Sequence, residues 1–410
     1  MSEADKDLYC SFCGKNAAEV KKLIAGPNNV FICDGCVDLC HGILVGESPS
    51  KELVPVDKKT GIPSPRIIKE HLDQYIIGQD HAKETLAVAV YNHYMRLEHP
   101  FVDGVEIEKS NALLVGPTGS GKTAMVKSIA EMLAVPLAIA DATSLTEAGY
   151  VGEDVESILT RLLSSAGNDV KLAERGIVFI DEIDKKASRE RQNGGRDVSG
   201  EGVQQALLKL LEGSEVMVPT SGKRGPNAEL VKVNTKNILF IVGGAFVGLD
   251  KIVIKARGGK IESKMGFAGD VGKKPMPANA LEGLDAEHLV KFGMIPELVG
   301  RLPVYATLTE LNEGQLVQIL TEPKNALIKQ FEKRFGLDKV VLEFTDAALM
   351  EIAKTAIKRK TGARGLRSVV ENNLMKLQYE LPDLSEQGVT KIVIDETISQ
   401  EKLVPILIYA

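Results

Sequence analysis

The sequence predicts an α/β protein of several domains: a parallel sheet covered by helices on both faces, a smaller, mostly helical C-terminal part, and a short cysteine-bearing module in front. Three observations predict this. From about residue 66, short apolar runs at 112–115, 137–140, 177–180 and 238–242 alternate with helical patterns, the order of a parallel sheet with helical crossovers. From about residue 314 the pattern becomes mainly helical, with small strand candidates at 340–344 and 391–394. All five cysteines lie in the first 40 residues, and a stretch rich in Pro, Gly, Ser and charge, 46–65, separates them from the rest. The expected domains are therefore 1–45, a linker 46–65, a large domain 66–313 and a small domain 314–410, a division that suits a 410-residue chain.

Charge and hydropathy exclude several classes. Fifty Lys and Arg against 56 Asp and Glu give a net charge of −6, which supplies no general attraction to nucleic acid or anionic membrane. The longest uncharged apolar stretch, 238–249, is too short for a bilayer and is broken by glycine. The first residues are acidic and carry neither an apolar signal core nor an arginine-rich transit pattern, so a cytoplasmic protein is expected.

The cysteines form a local device. Cys10-x-x-Cys13 and Cys33-x-x-Cys36, nineteen residues apart, have the spacing of two knuckles that offer four thiolates to one tetrahedral Zn²⁺. A module of this size is too small for a core of its own, and zinc contributes ~10–16 kcal/mol in small zinc peptides. Cys40 and His41 are rival ligands without a partner at knuckle spacing. Two matched pairs also argue against a redox Cys-x-x-Cys.

The central chemistry is a phosphate loop. Gly116, Pro117, Thr118, Gly119, Ser120, Gly121, Lys122 and Thr123 follow the apolar run 112–115 and precede a helical stretch, giving strand, glycine loop, helix. Glycines let backbone N–H groups curl around a polyphosphate, the helix N-terminus adds its dipole, the lysine reaches the terminal phosphates, and the threonine hydroxyl suits Mg²⁺. ATP and Mg²⁺ are the expected ligands. The run 177–180 ends in Asp181 and Glu182, two carboxylates at the end of a buried strand. Asp181 suits the metal and Glu182 the polarisation of an attacking water. Arg301 and Arg364 sit in compact turn contexts from which a guanidinium can stabilise transition-state charge, although a lone arginine more often makes a surface ion pair.

Together the four-cysteine module, the loop 116–123, Asp181-Glu182, Gly149-Tyr150-Val151-Gly152, the segment 295–303 and Gly362-Ala363-Arg364 closely resemble the ClpX family, the AAA+ unfoldase subunit of the Clp protease. The resemblance spans essentially the whole chain, with the motifs in the family's order. It implies an ATP-driven homohexameric ring that recognises tagged proteins, with adaptors, and feeds them through a pore to the ClpP peptidase. By the same resemblance Glu182 is the hydrolytic carboxylate, Arg301 the finger acting on a neighbour's nucleotide and Arg364 the sensor on the small domain. Tyr75, Ile76 and Ile77 belong to the segment that packs on the adenine, and Tyr150 and Val151 to the main pore loop. Met265, Gly266 and Phe267 form the apolar tip that grips the peptidase, with methionine where isoleucine or leucine is common. The charged segment 189–202 suits a second pore element or a solvated connection.

Two further positions depart from the family pattern. The pore-entrance loop reads Lys223-Arg224-Gly225, keeping positive charge and losing a histidine, so the resemblance transfers tag preference less safely than the motor activity. The run 238–242 ends in Gly243-Gly244, without a polar side chain to orient water. A zinc-ribbon nucleic-acid motor is the rival class, and the acidic balance argues against it. A chaperone acting without proteolysis is another, and the 265–267 tip argues against that.

Overall fold

A computed structural model describes residues 9–12, 14, 16, 20, 22–27, 30–37, 62–146, 153–188, 200–220, 229–257, 280–359, 362–399 and 405–409. The chain falls into two compact units, Met1–Pro55 and Val56–Ala410. The first is built on an antiparallel hairpin of Leu23–Ala25 with Phe31–Cys33, in the register Leu23↔Cys33 and Ala25↔Phe31. Cys10, Cys33 and Cys36 are its buried cluster, with Val20, Leu23 and Ile32 packed around them. Three sulfurs hold the place that aliphatic side chains hold elsewhere.

The second unit centres on a five-stranded sheet, its strands numbered here in chain order: β1 Ala112–Val115, β2 Leu137–Asp141, β3 Ile177–Asp181, β4 Leu239–Gly244 and β5 Val304–Thr307. Their order across the sheet is β5-β1-β4-β3-β2 and every pairing is parallel. Side chains alternate between faces. Leu113, Val115, Val178, Ile180, Phe240 and Val242 join one core, under helices Ser157–Ser165 and Glu201–Glu212. Ala112, Leu114, Ile177, Phe179, Leu239 and Ile241 join the other, under helices Pro65–Asp73, Asp80–Glu98 and Lys122–Leu133. Strands buried on both faces have no polar alternation, which is why they read as continuous apolar runs. The parallel sheet with helices on both faces is the architecture the sequence predicts. The run expected at 238–242 becomes a strand of six residues that takes in Gly243 and Gly244.

Beyond β5, helices Glu313–Thr321, Leu327–Leu337, Asp346–Lys358 and Ala363–Glu386 enclose a separate apolar cluster. They pack on a small sheet in which Val341–Phe344 runs parallel to Val389–Ile394, and Ile406–Tyr409 adds an antiparallel edge. Sequence reading identifies the first two strands and misses the third, a four-residue apolar run just after Pro405. It also misses the antiparallel hairpin of Glu215–Pro219 and Leu230–Asn234. Among the described residues no helix is long and apolar enough to cross a membrane.

Candidate functional site: a nucleotide cleft and a thiolate cluster

The loop between β1 and the 122–133 helix has glycine where the backbone demands it. Gly119 and Gly121 have φ of 80° and 106°, a region that side chains with a Cβ avoid. At Gly116 a Cβ would come within 2.7 Å of the Leu308 carbonyl oxygen, just beyond β5, so the end of a neighbouring strand excludes any larger residue. Lys122 is folded into the loop, its Nζ donating to the carbonyls of Gly116 at 2.6 Å and Pro117 at 2.9 Å. Burial pushes the Lys122 pKa below its ordinary value, while the carboxylates of Asp181 and Asp184 oppose the shift. Among the described residues this buried cation makes no ion pair and is held by two carbonyls instead, and a polyphosphate would supply an anionic partner.

The end of β3 supplies the acidic side. Thr123 Oγ1 donates to Asp181 Oδ2 at 3.1 Å, which puts the hydroxyl and carboxylate expected to hold Mg²⁺ side by side. Their oxygens form the hard donor set that this ion prefers. Glu182 stands in the left-handed region, with φ of 59°, and its N–H donates to Asp181 Oδ1 at 3.0 Å. A non-glycine residue rarely holds that conformation, and such strain gathers where a side chain must be aimed. At the neighbouring end of β4, Gly243 and Gly244 leave room for other groups. A Cβ at 243 would lie 2.8 Å from the Phe179 ring, and one at 244 would lie 2.6 Å from the Phe246 ring and 2.7 Å from Asp184 Oδ1. The Ala245 N–H donates to that same Asp184 oxygen at 3.1 Å. The buried carboxylate of Asp184 thus fills the corner where a side chain on β4 would have been.

The C-terminal helices close the cleft. Gly362, with φ of 55°, brings the start of the 363–386 helix so close to the loop that a Cβ there would lie 3.0 Å from the Thr118 carbonyl. Arg364 reaches across with Nη2 4.0 Å from Asp181 Oδ2. Beside it is a cavity of about 230 Å³ whose lining includes Tyr75, Leu320, Pro323, Ala326, Leu366 and Arg367. Ile76 is buried, 3.7 Å from the Cβ position of Gly121, and Ile77 is half-buried. The structure therefore gathers the loop, Asp181, Glu182, Arg364 and the 75–77 segment around one cleft.

Arg301 is placed differently. Its Nε donates to Glu212 Oε1 at 3.0 Å and its Nη2 lies 2.8 Å from the same oxygen. Asn111 Nδ2 donates to the carbonyls of Arg301 at 3.0 Å and of Leu211 at 3.4 Å. None of these partners belongs to the loop or to the end of β3. Glu212, Asn111 and Asp184 were all missed by sequence reading. Each acts through a partner distant in the chain, and only Asp184, three residues after Asp181, carries a local cue.

In the N-terminal unit the Sγ atoms of Cys10, Cys33 and Cys36 lie within 4.8 Å of one another. Those of Cys10 and Cys36 are 3.8 Å apart. A tetrahedral ion with Zn–S bonds of about 2.3 Å places its sulfurs about 3.8 Å apart, far longer than a disulfide. The Cys33 N–H also points at Cys10 Sγ at 3.3 Å, an interaction that favours the thiolate. These residues fit zinc. Cys13, Cys40, His41, Tyr150, Val151, Met265, Gly266, Phe267 and the segments 189–199 and 223–225 lie outside the described residues.

Comparison with known proteins gives concordant matches. Residues 8–46 match the ClpX C4-type zinc finger, 107–305 the AAA domain (Cdc48 subfamily), and 311–386 the C-terminal, D2-small domain, of ClpB protein. A curated relative from Treponema denticola, the ATP-dependent Clp protease ATP-binding subunit ClpX, is 51% identical over 407 residues, covering 97% of this chain and 96% of its own. The chain therefore belongs to the ClpX family, and is an AAA+ ATPase with a C4-type zinc-binding module at its N-terminal end.

Proposed function

We propose that this chain is the ATP-driven protein unfoldase and specificity subunit of a Clp-type protease, working in the cytoplasm as a homohexamer that passes tagged or misfolded proteins to ClpP. The observation that carries the motor reading is the contact of Gly362 and Arg364 with the phosphate loop and Asp181. A nucleotide in this cleft touches both the sheet and the C-terminal helices, so the state of its phosphates can set their relative position. That is the requirement for turning hydrolysis into movement.

The roles follow from chemistry. Lys122 and the loop N–H groups bind the phosphates, and Tyr75, Ile76 and Ile77 pack on the base. Glu182 takes a proton from the attacking water, and Arg364 stabilises charge on the phosphoryl oxygens. Bound Mg²⁺, held by Thr123 and Asp181, supplies charge neutralisation at the phosphates. Arg301, bonded away from the cleft of its own chain, acts on the nucleotide of a neighbouring copy, so assembly and hydrolysis become interdependent. Four thiolates, from Cys10, Cys13, Cys33 and Cys36, hold a structural zinc ion in the 1–45 domain, joined by a 46–65 linker to the 66–313 and 314–410 domains. Tyr150 and Val151 grip substrate in the pore, and Met265, Gly266 and Phe267 dock the peptidase. Peptide hydrolysis belongs to that partner.

Reconstitution with ClpP and a tagged folded substrate tests this reading. ATP-dependent degradation is expected, and Phe267→Ala should spare ATPase activity while weakening degradation at least tenfold, as loss of a buried aromatic anchor does. Degradation unchanged by Phe267→Ala would remove the docking assignment, and ATPase activity with no degradation would leave a remodelling chaperone.

A further inference from the structure

The Gln79 amide is buried, 7% exposed, in the left-handed conformation with φ of 62°. It stands at the N-cap of the 80–98 helix yet caps nothing there. Its side chain instead pairs with a backbone 230 residues away: Nε2 donates to the Thr309 carbonyl at 2.9 Å, and the Thr309 N–H donates to Oε1 at 2.9 Å. Thr309 lies two residues past β5 and three before Asn312, the cap of the 313–321 helix. It is the strip of chain that joins the sheet to the C-terminal helices.

Two more contacts join the same pair of regions. The Lys324 N–H donates to the Gln74 carbonyl at 2.9 Å. Gln315, whose Oε1 accepts from the Asn312 N–H at 3.0 Å, has its Nε2 only 2.6 Å from where a Cβ on Gly78 would stand, and Gly78 has φ of 63°. On the sheet side, Lys83 Nζ donates to the Ile76 carbonyl at 2.6 Å and to Asp73 at 2.7 Å, which fixes the shape of the segment. Residues 74–79 thus face the base cavity through Tyr75, the connecting strip through Gln79, and the 313–321 helix and the chain just after it through Gly78 and Gln74.

We propose that Gln79 is a positioning residue for ATP hydrolysis: its amide ties the base-contacting segment to the strip entering the C-terminal domain, so that nucleotide occupancy sets where Arg364 stands over the phosphates. This rests on the reading of residues 75–77 as the base contact. The residue type suits the task. An amide offers a donor and an acceptor in one plane and so matches both groups of one backbone residue, whereas a carboxylate only accepts. Gln79→Glu keeps the shape and the bond from the Thr309 N–H, and sets a second oxygen against the Thr309 carbonyl.

The test uses the full-length protein and its Gln79→Glu, Gln79→Ala, Thr309→Ala and Ile76→Asp variants. Nucleotide affinity is read with a fluorescent ATP analogue, kcat by steady-state ATPase, and domain separation with dyes introduced as unnatural amino acids at Glu84 and Lys354. For Gln79→Glu and Gln79→Ala the expectation is affinity within about threefold of wild type and kcat reduced about tenfold or more, with a broadened dye separation that no longer shifts on nucleotide binding. Thr309→Ala keeps both backbone groups and removes only the long 3.4 Å bond from the Thr309 hydroxyl to Gln79 Oε1, so its kcat should stay within about twofold of wild type. Unchanged kcat in both Gln79 variants, even with a lowered melting temperature, would make Gln79 a packing residue and overturn the proposal. Wild-type nucleotide affinity in Ile76→Asp would instead overturn the base-contact reading, whatever the Gln79 variants do.

Discussion

The nucleotide-binding sheet and the N-terminal cysteine unit solve opposite problems. The sheet is buried on both faces by two apolar clusters, so the carboxyl ends of its inner strands can carry tight geometry: Glu182 in the left-handed region, and glycines at 116, 243 and 244 that no other residue can replace without displacing a neighbour. Among the described residues of the N-terminal unit, the buried cluster consists of three cysteines. In one the fold supports the ligand site. In the other the ligand supports the fold.

The largest effect that separates them is metal removal. Chelation, or Cys33→Ser, should unfold the N-terminal unit, since structural zinc contributes ~10–16 kcal/mol in small zinc peptides, and should leave the apolar cores of the second unit intact. Limited proteolysis together with ATPase assays reads both halves of this expectation, and a simultaneous loss of the AAA domain's protease resistance would break the contrast. Next is Glu182→Gln, which should bind ATP and hydrolyse it ~10²–10⁴-fold more slowly, because the carboxylate that takes the proton is gone while the loop is untouched. Near-wild-type turnover would remove Glu182 from that role.

Gly116→Ala sharpens the comparison from the side of the fold. Its Cβ meets the Leu308 carbonyl oxygen, which is backbone and cannot swing away, so stability should fall by ~1–3 kcal/mol and nucleotide affinity with it. Denaturant titration with and without nucleotide separates the two losses, and a variant as stable as wild type would show that the strand end yields.

The smallest effect is a pH dependence confined to the second unit. His93 is buried with its Nε2 3.1 Å from the Asn237 carbonyl, and burial, reinforced by Arg96, Lys109 and Arg175, lowers its pKa from 6.5 to about 3. Unfolding therefore takes up a proton below pH 6.5. Stability from this group is complete above that pH and falls by up to ~1.4 kcal/mol per unit as the pH drops towards 3. His93→Gln should flatten the wild-type slope of melting temperature between pH 7.5 and 5.5, and identical slopes would contradict the burial of a neutral imidazole.

What was legible in the sequence follows from the same contrast. Strands sealed on both faces announce themselves as unbroken apolar runs, and the phosphate loop is local, so the sheet and Gly116 to Thr123 could be read directly. The cysteine cluster was legible in part for the same reason: Cys33 and Cys36 stand three residues apart in the sequence, and their sulfurs gather with that of Cys10. The Ile406–Tyr409 edge strand was missed because four residues carry little periodicity and its partner is set by tertiary pairing. Gln79 and Glu212 were missed because their partners, Thr309 and Arg301, are 230 and 89 residues away. A polar residue whose role is to hold another leaves no local pattern. The residues of the phosphate loop could be read from spacing, while the polar residues bonded across the fold needed the structure.

The most direct test of the motor reading is the fluorescence of a stably folded fluorescent protein bearing an unstructured tag, mixed with this protein and ATP and no peptidase. ATP-dependent loss of fluorescence, absent with Glu182→Gln, is the predicted result. Persistent fluorescence during active ATP hydrolysis, with a tag that works in a parallel control, would contradict a protein-unfolding motor.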